Sequence, residues 1–495
     1  METIETARWR ATSGRPTPRR HKVRATAAIL AAAILASACS AAIATPSPSG
    51  PPNPTLPSPS SQSPTASTSV APTPAPVQTV DTGYFAMALG NSAPIPPAAD
   101  FGVLAGTEIN DFGFDLLRRL DANGNLCASP ASIALALAMV RAGANGDTAA
   151  EMDKVLHDFG SPGQAGEIAT MLDAFKRQTF YDNFYSDDPL ATPSDGQQPD
   201  AELDVSNAVF SQKGMSLEQA YLDTLSSEFG AGVGLLDYKA DPEAARLIIN
   251  RWASDRTKGR IPNVLQPGEI TTTTRIALAD AIYLKAGWSQ PFDEAATKAL
   301  PFTLSSGAKV SVPTMALDKV LSYSAGKGYR AVELPFSGES LSMTIVVPDD
   351  MTSFVNGLTA AEFGGIVSQG KGYIVDLTLP RFSADSRVEL SPVLAAMGMP
   401  AAFDPSRADF SGITTDEKLF VQFVIHQANI DVVEKGTTAA AVTVVGVGTM
   451  GGGPTPPPPP HVTFHVDKPF LYFIREAGTG AILFMGRIDD PSSKS

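Results

Sequence analysis

From Gly436 to Gly453 the chain reads GTTAAAVTVVGVGTMGGG, with no charged residue and no proline, in a sequence that holds 41 prolines and is 18% charged. A segment free of both is able to lie in the middle of a β-sheet. Proline there removes a ladder hydrogen bond, and an unpaired buried charge costs roughly several kcal/mol. Alternate residues from Thr437, namely Ala439, Ala441, Thr443, Val445 and Val447, fall on one face and are small and uncharged. Pro454 to Pro460 (PTPPPPP) follows as an extended polyproline II spacer that no sheet can take in. Insertable chain therefore meets non-insertable chain near Met450.

A rival reading attaches to the same stretch, because Gly446 to Gly451 (GVGTMG) matches the dinucleotide-binding fingerprint and Asp467 follows at a spacing suited to a ribose contact. That fingerprint requires a helix to begin on its last glycine. Gly452, Gly453 and Pro454 come next and cannot start one. The nucleotide reading is set aside.

Composition divides the remainder. The first 24 residues carry Arg8, Arg10, Arg15, Arg19, Arg20, Lys22 and Arg24, and an apolar run then ends at Leu35-Ala36-Ser37-Ala38-Cys39. Residues 1–38 read as a signal peptide, and the small residues before Cys39 resemble a bacterial lipobox that would make Cys39 the lipidated first residue. The alternative is ordinary cleavage after Ala38 and free secretion. From Ser40 to about Val80 the chain is Pro, Ser, Thr and Ala without a charge, too poor in apolar surface to offset ordering entropy. Residues 39–84 read as a tether outside the cell, and 85–495 as one domain without a second linker or an internal repeat.

Only two cysteines are present, Cys39 and Cys127. Acylation of Cys39 leaves no disulfide, and Cys127 sits in an apolar run as a small core residue. The net charge of -14 and the lack of a basic cluster after the signal argue against nucleic acid and against a heparin-like activator. No stretch after Ala38 is apolar and long enough to span a bilayer, so a membrane is reached only through Cys39.

Within the domain, Ile109, Phe112, Leu116, Leu117 and Leu120 recur at helical spacing and predict a helix over 107–121. Ser129-Pro130 starts a second helix that Gly143 to Gly146 ends. Residues 179–202 read as an acidic insertion and 242–262 as a helix with a trailing turn. Strands are expected at 329–336, 341–348 and 373–382, the second alternating Leu341, Met343, Ile345 and Val347 as if with one buried face, and a helix at 388–398.

Several of these strings together resemble the serpins, the suicide inhibitors of serine proteases. Phe464 to Ile474 (FHVDKPFLYFI) is similar to the family's C-terminal signature at every position, and Glu434-Lys435-Gly436-Thr437 with Ala439, Ala440, Ala441 and Thr443 resembles its hinge. Leu203 to Phe210 (LDVSNAVF) resembles a family strand, Thr257-Lys258-Gly259-Arg260-Ile261 resembles a family turn, Arg275 to Asp293 resembles the central strand leading to the breach, where Trp288 matches the family tryptophan, and Leu419 to Val433 leads into the hinge. Ser129, Ser132 and His426 fall on the shutter positions, where Asp280 replaces the usual asparagine and brings a carboxylate on which pH could act. Thr438 stands where inhibitory members carry glutamate, a mild departure because threonine is a good strand former.

The resemblance covers about 107–490 and implies an α+β fold: mixed multi-stranded β-sheets, eight or nine helices and an exposed reactive-centre loop over 434–463. It implies a monomer without cofactor or metal, whose partner is a serine protease held as a covalent acyl complex. The reactive bond follows the hinge glycine by about fourteen residues in that family, a count that reaches Met450-Gly451, with a slip of one giving Thr449 or Gly451. Met450 suits elastase-, chymotrypsin- or subtilisin-like enzymes. A non-inhibitory, cell-surface binding module is the alternative. No G-x-S-x-G elbow, P-loop or H-E-x-x-H is present, so catalysis is not expected.

Overall fold

The computed structural model describes residues 77–96, 102–120, 124–177, 201–437 and 458–493. In chain order these form β1 (Gln78–Asp81), β2 (Ala86–Leu89), α1 (Gly102–Leu117), β3 (Leu126–Ala128), α2 (Pro130–Arg141), α3 (Gly146–Val155), α4 (Ala165–Arg177), β4 (Ala201–Gln212), α5 (Gln219–Glu228), β5 (Val233–Leu236) and α6 (Pro242–Arg256). They continue with β6 (Ile276–Gly287), β7 (Lys298–Thr303), β8 (Lys309–Gly326), β9 (Tyr329–Pro335), β10 (Leu341–Pro348), α7 (Met351–Gly357), α8 (Ala360–Ser368), β11 (Lys371–Pro380), β12 (Phe382–Glu389) and α9 (Ser391–Met397). The chain closes with β13 (Ile425–Val433), β14 (Gly436–Thr437), β15 (His461–His465), β16 (Phe470–Glu476) and β17 (Ile482–Ile488).

Two mixed sheets and nine helices make an α+β fold among the described residues, as expected. The first sheet runs β1-β2-β5-β4-β6-β14-β13-β12. The second runs β15-β11-β8-β9-β10-β16-β17-β3, with β7 on β8. β10 (LSMTIVVP) lies between β9 and β16 with every residue buried, which is why its sequence is apolar almost throughout.

α2 is the pivot of the core. Its sequence PASIALALAMVR is apolar around its whole circumference, so it sits inside, packed on β4, β6 and β17 with all its residues buried. Ser129 starts it by accepting a hydrogen bond from the Ser132 amide, and Pro130 fills the first turn. β6 alternates between two cores: Leu278, Ile282 and Leu284 join the main one, whereas Ala277, Ala279 and Ala281 face α6. The small residues on that second face let Ile249, Trp252 and Ala253 of α6 settle onto the sheet.

Boundaries shift where tertiary pairing overrides local pattern. The fold begins at Gln78, inside the stretch assigned to the tether, because Thr79 and Val80 pair with Ala88 and Met87 in a hairpin. α1 begins at Gly102 and ends at Leu117, earlier than periodicity implies, and β13 begins at Ile425. Residues 388 and 389 close β12 and do not open the following helix. The long β8, together with β7, has no counterpart among the predicted strands: its run KVSVPTMALDKVLSYSAG carries two lysines, an aspartate and a proline, and its burial is irregular. Cys127 is buried on β3, where burial pushes its thiol up to about 12.

Candidate functional site

The hinge is built from a tight turn. β13 ends at Val433, Glu434 and Lys435 reverse the chain, and β14 runs back between β13 and β6. Gly436 pairs with Val433 on one side and Gly287 on the other, and Thr437 pairs with Val432 and Ala286. Gly436 has φ +137°, and a Cβ there would lie 2.0 Å from the Ala286 carbonyl oxygen, so only glycine fits. The Thr437 hydroxyl accepts from the Ala286 amide at 3.2 Å and is fully enclosed.

Glu434 anchors the turn. The residue is 3% exposed, and Oε1 accepts from Arg381 at 2.7 Å and from the Thr297 hydroxyl at 2.5 Å. Burial pushes the carboxyl up, but the hydrogen bonds from Arg381 and Thr297 outweigh it and hold it below the ordinary 4.5. Neither partner was singled out in the sequence, for they are 53 and 137 residues away.

Trp288, which the resemblance assigns to the breach, packs against this turn. Trp288 stacks on Phe336 with centroids 4.5 Å apart, and Phe292 meets it edge-on at 6.4 Å. Its indole N–H donates to the Val433 carbonyl at 2.9 Å, and its backbone amide donates to the Lys435 carbonyl at 3.0 Å. Trp288 thus ties the chain just after β6 to the end of β13 through its side chain and to the hinge turn through its backbone.

The predicted shutter residues come together farther down the same seam. His426 Nε2 accepts from the Ser129 amide at 3.0 Å, so Nδ1 carries the proton and donates to Asp280 Oδ2 at 2.7 Å. The Ser132 hydroxyl donates to Asn207 Oδ1 at 3.1 Å, and Asn207 stands opposite Asp280 in the β4–β6 ladder. Asn207 was not foreseen as a member of the cluster. It lies in the predicted strand 203–210, and only the strand register reveals its role. Asp280 Oδ1 is buried without a donor among the described residues.

Between hinge and shutter the seam is held by side chains and not by a backbone ladder. Among the described residues no ladder joins β6 directly to β13, and only the two residues of β14 stand between them. Immediately beyond Thr437 lies a cavity of about 20 Å³ lined by Ile282 and Leu284 of β6 and by Asn429 and Asp431 of β13. At the far end of the loop, the Pro460 carbonyl accepts from Ile374, and β15 joins the other sheet parallel to β11. Thr438, Ala439, Ala440, Ala441, Thr443, Met450 and Gly451 lie outside the described residues, as do Cys39, the residues 1–38 read as a signal peptide, and all of the insertion expected at 179–202 except Ala201 and Glu202, which instead open β4. Among the described residues there is no metal-holding cluster of three or more His, Cys, Asp or Glu. No described helix is long and apolar enough to cross a membrane.

Two sheets, a glycine-gated hinge and a histidine seam of this kind define a serpin, and comparison with known proteins agrees. The family's sequence profile, described as "Serpin (serine protease inhibitor)", matches residues 107–491, and the chain belongs to the serpin family. It is similar to the leukocyte elastase inhibitor of Homo sapiens, 32% identical over 400 residues that cover 77% of this chain and 97% of the relative. An uncharacterized serpin-like protein of Methanosarcina acetivorans is 30% identical over 398 residues, 78% of this chain and 86% of that one. Among solved structures, native tengpin, a thermophilic serpin, superposes with a TM-score of 0.68 at 22% identity over 81% of this chain and 97% of that one. Protease nexin-1 with heparin gives 0.66 at 27% identity, covering 79% and 100%.

Proposed function

We propose that the protein is a suicide-substrate inhibitor of serine proteases with hydrophobic primary specificity, elastase-, chymotrypsin- or subtilisin-like, and that Cys39 anchors it outside the cell. The observation that carries this reading is the hinge: Gly436 and Thr437 pair on both sides between β13 and β6, which no other ladder joins among the described residues, and the chain that follows to Gly453 is uncharged and proline-free. The name of the leukocyte elastase inhibitor relatives points to the same class of target.

In this mechanism a protease serine attacks the Met450 carbonyl, the Met450–Gly451 bond breaks and the new Gly451 amine departs, leaving Met450 esterified to the enzyme. Thr437 to Met450 then enters the β6/β13 seam before water reaches the ester. A strand of that length spans about 45 Å and carries the protease with it. The stretch from Ala439 to Thr443 favours speed, because it offers no large or charged side chain to the closing sheet.

The test is incubation of the chain with an elastase-like and a subtilisin-like protease, followed by denaturing gels and mass spectrometry of the released peptide. An SDS-stable complex and a peptide beginning at Gly451 are expected. Complete cleavage with no complex would reject inhibition and favour the binding-module alternative.

A further inference from the structure

The β1–β2 hairpin has no part in the mechanism above, yet it is built into the element that lies across the seam. β2 extends the first sheet by pairing Ala86, Met87 and Ala88 with Leu235, Gly234 and Val233 of β5. Three glycines make its seat: a Cβ on Gly234 would lie 2.5 Å from the Phe210 ring and 3.0 Å from that of Phe85, one on Gly232 would lie 2.5 Å from the Ala88 carbonyl, and one on Gly90 would lie 2.3 Å from the Leu222 carbonyl of α5. Beyond β2 the chain stays fastened, with the Gly90 amide donating to Ser226 at 2.9 Å and the Asn91 amide to Asp223 at 2.6 Å.

The hairpin turn reaches α6. The Tyr84 hydroxyl donates to Asp255 at 2.5 Å, and the Arg251 guanidinium lies over the Tyr84 ring at 5.5 Å. Phe85 is buried edge-on against Phe210 of β4 at 5.0 Å, and Phe210 is edge-on against Trp252 of α6 at 5.7 Å. These contacts hold the C-terminal half of α6 to the β4–β5 side of the sheet.

The same helix and the chain after it also grip the opposite side. Ile425 of β13 packs in the α6 cluster, Arg260 pairs with Asp431 of β13, and Arg387 of β12 pairs with Glu269 at 2.6 Å. Adding a strand between β6 and β13 parts the two sides by about 4.8 Å. Residues 242–269 bridge that gap, so they must yield before the sheet widens.

The geometry points to residues 77–95 as a strap that restrains α6 and thereby sets the rate at which the sheet admits the loop. This inference rests on the insertion reading for its consequence, but the mechanical link is measurable without it. The experiment compares the full chain with Phe85→Ala, Tyr84→Phe and Asp255→Asn, the last two being small changes that keep the fold if Phe85→Ala does not. Hydrogen exchange is followed at α6 and along β6 and β13, and uptake of a synthetic peptide with the sequence Thr437 to Met450 is timed.

Faster exchange in α6 and the seam is expected in the variants, with peptide uptake about tenfold faster in Phe85→Ala, equivalent to roughly 1.4 kcal/mol off the barrier. Faster exchange confined to residues 77–95 and 233–236, with α6 protected as in the unsubstituted chain, overturns the strap. An unsubstituted chain that takes up no peptide and forms no complex with protease overturns the insertion reading instead, while the exchange measurement still decides whether the hairpin restrains α6.

Discussion

At the scale of single residues, the hinge depends on two side-chain facts, the absence of one at Gly436 and the burial of another at Glu434. Gly436→Ala places a Cβ 2.0 Å from the Ala286 carbonyl oxygen at a φ of +137°. β14 is therefore expected to withdraw from the seam, with a stability loss of about 2 kcal/mol in denaturant unfolding and a shift from complex formation to simple cleavage. Unchanged stability and inhibition would mean that the two-residue strand is not needed. Glu434 predicts a pH dependence with a definite sign. Its carboxyl is held below 4.5 in the folded chain, so its contribution is full above 4.5 and fades as pH falls through the folded value. Thermal unfolding of the native chain is expected to weaken below pH 4.5 more steeply than that of Glu434→Gln, and parallel curves would rule the anchor out. Gly436 and Glu434 were legible because they belong to a local string. Arg381, Thr297 and Asn207 were not, since each meets the site only through a pairing made far along the chain.

At the scale of elements, the relevant unit is the seam between β6 and β13, closed by side chains where it lacks a ladder. The Ser129 amide, His426 and Asp280 form a continuous chain of hydrogen bonds from the start of α2 to the middle of β6. Asp280→Ala leaves the His426 Nδ1–H buried without an acceptor and is expected to cost about 2 to 3 kcal/mol. Asp280→Asn keeps an acceptor while removing a buried charge, one of whose oxygens has no donor among the described residues, and is expected to be neutral or stabilising. Denaturant midpoints of the two variants check this; equal destabilisation would show that the charge itself holds the seam. Elements read from sequence fared according to how self-contained their signals were. α2 announces itself by its Ser129-Pro130 entry and its glycine exit, and β10 by alternating apolar residues, although β10 is buried on both faces and not on one; that Gly436 and Thr437 already pair in the sheet was not legible. β8 and the β1–β2 hairpin do not, because much of their stability comes from ladders with distant or compositionally unremarkable neighbours.

At the scale of the whole molecule, the hinge and the distal end of the loop are tied to different sheets, β14 to the first and β15 to the second. The uncut loop joins them, so the farther β14 extended down the seam, the less chain would remain to reach β15. Cleavage removes that constraint. On the insertion we propose, a strand continued from Thr437 toward Met450 would then satisfy backbone groups on both β6 and β13, and at about 1 kcal/mol net for each of roughly a dozen bonds the cut form would gain on the order of 10 kcal/mol. Limited cleavage by a protease that is not trapped is therefore expected to raise the guanidinium midpoint and to protect β6 and β13 amides from exchange. Gly436→Ala, cut in the same way, is expected to gain less. A cut chain no more stable than the intact one would locate the loop outside the sheet in both states and remove the driving force on which trapping depends.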